Sequence, residues 1–179
     1  MALLVKNVNV GRSSGPTAGA GQSVLNQWIH VARPTLDLPQ TTTEQLFRVY
    51  GGRVLVHLLI GEVTTVIQGT DPVPSIRASR LDAAGALVGT ADEVASTLDI
   101  SSDEVGTVYV IEGDTTAIVS TQVAAQQAAP ATTWIMPQGQ ILFKTTANKT
   151  GKIKWDIWYQ PLDEGAYVSA VAVATAEIT

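Results

Sequence analysis

Apolar and polar residues alternate with a period of two along much of the chain, and Gly, Pro, Asn and Asp punctuate the runs. The clearest run is Lys152–Tyr159. One face carries Ile153, Trp155, Ile157 and Tyr159; the other carries Lys152, Lys154, Asp156 and Trp158. A strand with one face on a core and one in solvent reads this way. Pro161 ends the run, and Asp163-Glu164-Gly165 turns the chain as it leaves this closing strand. Trp158 breaks the polar face: its indole either packs over lysine stems or anchors a contact with another molecule.

The same reading predicts further strands. Trp28–Ala32 is a short run stopped by Arg33-Pro34, and Glu44–Tyr50 leads into Gly51-Gly52, a hairpin signal. Arg53–Ile60 is the strongest central-strand pattern, with Gly61 as a bulge before Glu62–Ile67. Ser75–Leu81 ends at an Asp82–Gly85 turn. Val105–Glu112 and Thr115–Thr121 form a hairpin about Gly113-Asp114. Trp134–Met136, Gln140–Thr146 and Lys152–Gln160 complete the set, with Asn148–Gly151 as a turn. Only Ala91–Leu98 and Val123–Ala129 have helix-favouring composition. About nine or ten strands at spacings near ten residues predict an all-β fold, an antiparallel jelly-roll-like sandwich or barrel.

The pattern weakens at both ends. Residues 1–26 join a short alternating piece, Leu4–Val10, to a Gly/Ser/Ala-rich tether. They form either a frayed terminus or a flexible N-terminal arm whose strand pairs with a neighbouring subunit. Residues 27–168 are the sandwich core, and residues 169–179 an apolar C-terminal tail. No secretion signal is expected, because Lys6, Asn7 and Asn9 interrupt the first apolar residues.

Composition narrows the function classes. The chain has 179 residues, 15% charged, with a net charge of −5. It lacks the Lys/Arg field that a phosphate backbone or an anionic membrane requires, so neither nucleic acid nor membrane is an expected partner. The low charge suits a surface that meets other protein. With no cysteine, thiolate metal sites, disulfides and a catalytic thiol are excluded. His30 and His57 lie in strand-like runs without a positioned nucleophile. Asp99-Ile-Ser-Ser-Asp103-Glu104 lacks the glycine and distal glutamate of a calcium loop. The glycine-rich stretches do not open onto Lys-Ser/Thr or a helix start. The expectation is no catalytic residue, no cofactor and no metal.

Met136–Ala170, MPQGQILFKTTANKTGKIKWDIWYQPLDEGAYVSA, resembles the C-terminal end of head decoration (cement) proteins of tailed bacteriophages. The features that carry the resemblance are Gly139-Gln140-Ile141, Gly151, Trp155-x-x-Trp158-Tyr159 and Pro161-Leu162-Asp163-x-Gly165-Ala166-x-Val168. It covers about a fifth of the chain. The resemblance implies a virion structural protein on the outer surface of the capsid, made in the host cytoplasm. It also implies a homo-oligomer, with a trimer favoured, that binds the major capsid protein and stabilises the head. Candidate assembly contacts are Leu3, Leu4, Val5, Val8 and Val10 on the arm, Trp158 on the closing strand, and Tyr167, Val171 and Val173 near the C-terminus. The alternatives are another virion component, such as a tail or head-fibre piece, or a carbohydrate-binding jelly-roll module.

Overall fold

A computed structural model describes residues 28–68, 74–95, 97–111, 119–121 and 133–178. Among them are eleven strands and no helix. The strands are β1 (Ile29–Asp37), β2 (Thr43–Tyr50), β3 (Val54–Gln68), β4 (Ser75–Leu81), β5 (Leu87–Ala95), β6 (Val108–Ile111), β7 (Val119–Thr121), β8 (Trp134–Met136), β9 (Gly139–Lys144), β10 (Thr150–Pro161) and β11 (Tyr167–Ala170). They form two antiparallel sheets. One has the order β1-β10-β3-β6-β7, with β8 also on β3; the other has the order β11-β2-β9-β4-β5.

Eight of these strands pair as nested couples: β1 with β10, β2 with β9, β3 with β6, and β4 with β5. Successive couples alternate between the sheets, and the layers close where β10 meets β3 and β9 meets β4. One long antiparallel ribbon rolled into two four-stranded layers is a jelly roll. The all-β sandwich expected from the alternation is therefore the fold. The arm at residues 1–26 falls wholly outside the described residues, as do Val123–Ala129 and the Gly113-Asp114 turn.

The inner faces of the sheets build the core. Ile153, Trp155, Ile157 and Tyr159 of β10 are all at most 3% exposed and pack with Val56, Leu59, Val63, Phe47, Ile141 and Phe143. Phe143 meets the Trp155 indole at 5.3 Å between ring centroids. Burying side chains of this size contributes about 1.5–3 kcal/mol each, and Trp155 lies at the centre of the set.

Several local expectations give way to tertiary pairing. β1 runs through Arg33-Pro34 instead of stopping there, with a register shift between Arg33 and Leu36. It is an edge strand in which a proline removes no inward ladder bond. Gly51-Gly52 is not a hairpin: β2 and β3 lie in different sheets, and the glycines form the corner between them. The Asn148–Gly151 segment likewise leads from β9 in one sheet to β10 in the other, and Gly151 lies within β10. Ala91–Ala95, helix-favouring in composition, belongs to β5, because pairing with β4 outweighs weak propensity. β10 is not the last strand; β11 follows it and pairs with β2.

Gly61 is not a bulge either. It lies in regular register opposite Trp155, and a Cβ there would come within 2.9 Å of the indole ring. The glycine makes room for the largest core side chain. The register slips four residues earlier, where Trp158 pairs with Leu58 and Tyr159 with Val56, leaving His57 as the extra residue.

Residues 169–178 are bonded along the five-stranded sheet. Gln45 N donates to Thr175 O, Glu177 N to Thr43 O, and Val171 N to Leu46 O. The Gln140 amide exchanges two hydrogen bonds with the Ile178 backbone, at 3.0 and 3.2 Å. Arg33, buried on β1, donates from Nε to Val171 O and so ties one sheet to the other. Burial lowers the Arg33 pKa, while Glu44, 3.9 Å away, acts in the opposite direction.

Candidate functional site

The outer face of the six-stranded sheet carries two Trp–His stacks. Register sets His30 of β1 directly opposite Trp158 of β10, and their rings stack at 4.4 Å with 19° between planes. The bulge at His57 turns a second imidazole onto the Trp28 indole, with ring centroids 3.9 Å apart. Trp28 is 42% exposed and Ile29 39%. Two Trp–His stacks therefore lie at one end of the same face, contributed by three strands or their margins.

Beneath one stack sits a carboxylate. Asp156 belongs to the polar face of β10, yet it is only 5% exposed. His30 Nε2 donates to its Oδ1 at 2.7 Å, and Lys154 Nζ reaches its Oδ2 at 3.0 Å. Both donors remain open to water, with side-chain exposures of 46% and 42%. Both of its oxygens are thus bonded within the fold. The arrangement orients His30, and His30 covers one side of Trp158. The result is a rigid aromatic surface with a charged rim, the composition that favours protein contacts.

The other sequence-chosen residues lie elsewhere. Tyr167 is 51% exposed and stacks on Tyr50 at 5.1 Å, with the Arg48 guanidinium over the Tyr50 ring. Val173 is 66% exposed, whereas Val171 is half-buried and held by its backbone. These three follow β10 on the second sheet and are not gathered with Trp158. Leu3, Leu4, Val5, Val8 and Val10 lie outside the described residues. Trp28, His30, His57 and Asp156 were not among the candidates. Trp28 and His30 share alternate positions on one run, which hints at a common face; the slip that turns His57 onto Trp28 leaves no trace in the pattern.

The residues after β10 form a clasp. Asp163 accepts from Arg53 N at 2.7 Å, from Nε at 2.9 Å and, at its other oxygen, from Nη2 at 2.7 Å. These bonds hold the Asp163 carboxyl down to about 2. Arg53 O in turn accepts from Leu162 N. Gly51 has φ of 72°, and a Cβ there would meet Gly165 O at 2.5 Å. The Asp163-x-Gly165 spacing thus fits the exit turn against the β2–β3 corner.

The acidic loop at Asp99–Glu104 is occupied internally. Asp99 Oδ1 accepts from Ser101 N and Oγ, and Asp103 accepts from the buried Tyr109 hydroxyl at 2.6 Å. Burial, then Asp103, pushes the Tyr109 phenol far above its ordinary range. Among the described residues no group of three His, Asp or Glu side chains is arranged to hold a metal ion. Comparison with protein-family models gives no match, nor does comparison with curated proteins or with solved structures.

Proposed function

We propose that this jelly roll is a virion structural subunit, a decoration (cement) protein that binds the outside of a bacteriophage head as a trimer and stabilises it. The observation that carries the reading is the partly exposed pair of Trp28–His57 and His30–Trp158 stacks, on a chain of low charge whose Met136–Ala170 segment resembles such proteins. Fixed aromatic rings lose little conformational freedom on docking, so they make efficient anchors against another protein. Asp156, Lys154 and His30 supply the polar rim around the rings. The partners on this reading are further copies of the chain and the major capsid protein.

The test combines light scattering with head binding. The purified chain is expected to run as a trimer at micromolar concentration and to bind undecorated heads of the phage that encodes it. Trp158→Ala is expected to lower head occupancy at least about tenfold, as loss of a central aromatic anchor does. A strict monomer that also fails to bind heads defeats the reading. Mass spectrometry of purified virions, giving copy number relative to the major capsid protein, provides an independent check.

A further inference from the structure

A second feature lies on the flank of the sandwich between β8 of one sheet and β4–β5 of the other. Here a groove of about 280 Å³ is lined by Ala78, Arg80, Asp92, Glu93, Trp134 and Ile135, with other residues. Its walls follow from strand alternation. Ile76 and Ala78 of β4 face the core, so Arg80, two residues on, takes the same face beyond the core's end. Asp92 pairs with Ala78 and shares that face. On the opposite sheet Trp134 pairs with the buried Val56, half-buried with its ring against the core. Position 139, opposite Arg80, admits only glycine, because a Cβ would strike Ser79 O and the Met136 methyl. No side chain from that position crowds Arg80.

The polar groups of this groove are unspent. The side chains of Arg80 and Asp92 have no hydrogen-bonding or ionic partner among the described residues. This contrasts with Arg53, Arg33 and Arg77, each of which is bonded within the molecule. A second groove of about 600 Å³ continues from Arg80 and Pro137 past Gln138 and Asp82 to the Arg53–Asp163 clasp. The flank is therefore an extended cleft. It has an indole wall at Trp134, with the Arg80 guanidinium and the Asp92 carboxylate, both without a partner among the described residues, on the face of the second sheet that looks into it.

We infer that this cleft binds a neutral oligosaccharide, with one sugar ring seated against Trp134. Sugar rings present apolar C–H faces that pack on an indole. Their hydroxyls both donate and accept, so they use a guanidinium and a carboxylate at once. A phosphorylated ligand would meet Asp92 as a like charge, and a purely apolar one would leave both ions desolvated. The inference does not depend on the assembly reading, which rests on the Trp–His stacks over β1, β10 and β3.

The test is the full-length chain, labelled and applied to an array of neutral bacterial and plant oligosaccharides, with isothermal titration of any saccharide captured. Binding is expected, and Asp92→Asn and Arg80→Ala should each weaken it at least about tenfold through a lost charged hydrogen bond. Both positions are exposed, so these variants retain the fold even if Trp134→Ala does not. Trp158→Ala should leave saccharide binding unchanged. Silence across the array overturns the inference. So does capture that survives both charge variants, or capture that is lost with Trp158→Ala. Head binding by the same preparations reports on assembly separately.

Discussion

The two faces of β10 share one backbone and the same neighbouring strands, yet they are held in different ways. On the inner face Ile153, Trp155, Ile157 and Tyr159 pack against residues from both sheets, and each is nearly or wholly shielded from water. On the outer face Lys154, Asp156 and Trp158 depend on pairs: His30 over the indole, His30 and Lys154 on the carboxylate. Many shared contacts make the inner face a cooperative unit, sensitive to each missing atom. Separate pairs make the outer face replaceable piece by piece. The same strand thus holds the fold with one side and presents a shaped surface with the other.

The largest expected effect lies on the inner side. Trp155→Ala should cost about 3–5 kcal/mol, because it opens a cavity lined by Phe143, Ile153 and the flat strand at Gly61. The urea midpoint of unfolding measures this directly. A loss under about 1 kcal/mol would mean that the core collapses around the gap, and the contrast between the faces would dissolve.

Asp156→Ala probes the outer side at the neighbouring position. The carboxylate leaves, but His30 and Lys154 already reach water and can be solvated again. The expected cost is about 1 kcal/mol, the net worth of hydrogen bonds whose surviving partners are not left buried. The His30 ring should also lose its fixed orientation, seen as a shift of its imidazole resonances and of the Trp158 indole. A cost equal to that of Trp155→Ala would show that the outer pairs hold the fold as firmly as the core does.

The contrast also explains what could be read from sequence. Period-two alternation reports burial, so the inner face of β10 and the span of Ser75–Leu81 were legible residue by residue. Connectivity was not. Gly51-Gly52 carries the chemistry of a tight turn, but a jelly roll uses that turn to cross between sheets, and only the nested pairing of distant strands decides between the two. Gly61 reads as a bulge until the Trp155 ring opposite it is known, and a register slip at His57 leaves no local mark. Trp158 stood out because it broke an alternation. Arg80, Asp92 and Trp134 obeyed theirs, so the flank cleft they line appeared only when two sheets were brought together.

The smallest expected effect sits just beyond β10, at the Arg53–Asp163 clasp, which belongs to neither face. Asp163 is depressed from its ordinary 3.8 to about 2, first by the Arg53 side-chain hydrogen bonds and then by the Arg53 backbone N–H. A carboxylate whose pKa falls on folding adds stability that is fully present above its unfolded value. That stability is lost as pH falls through the folded one. The clasp should therefore act undiminished at neutral pH and fade between about pH 4 and pH 2. Both groups are open to solvent, so added salt should weaken the effect further. Thermal unfolding of wild type and Asp163→Asn across this range tests the point. The two curves should differ at pH 6 and converge near pH 2, while Trp155→Ala should stay displaced from wild type at both ends. Curves for Asp163→Asn that stay parallel to wild type throughout would show that the carboxylate is not held by Arg53 in solution, and that the exit turn keeps its shape through the glycine corner alone.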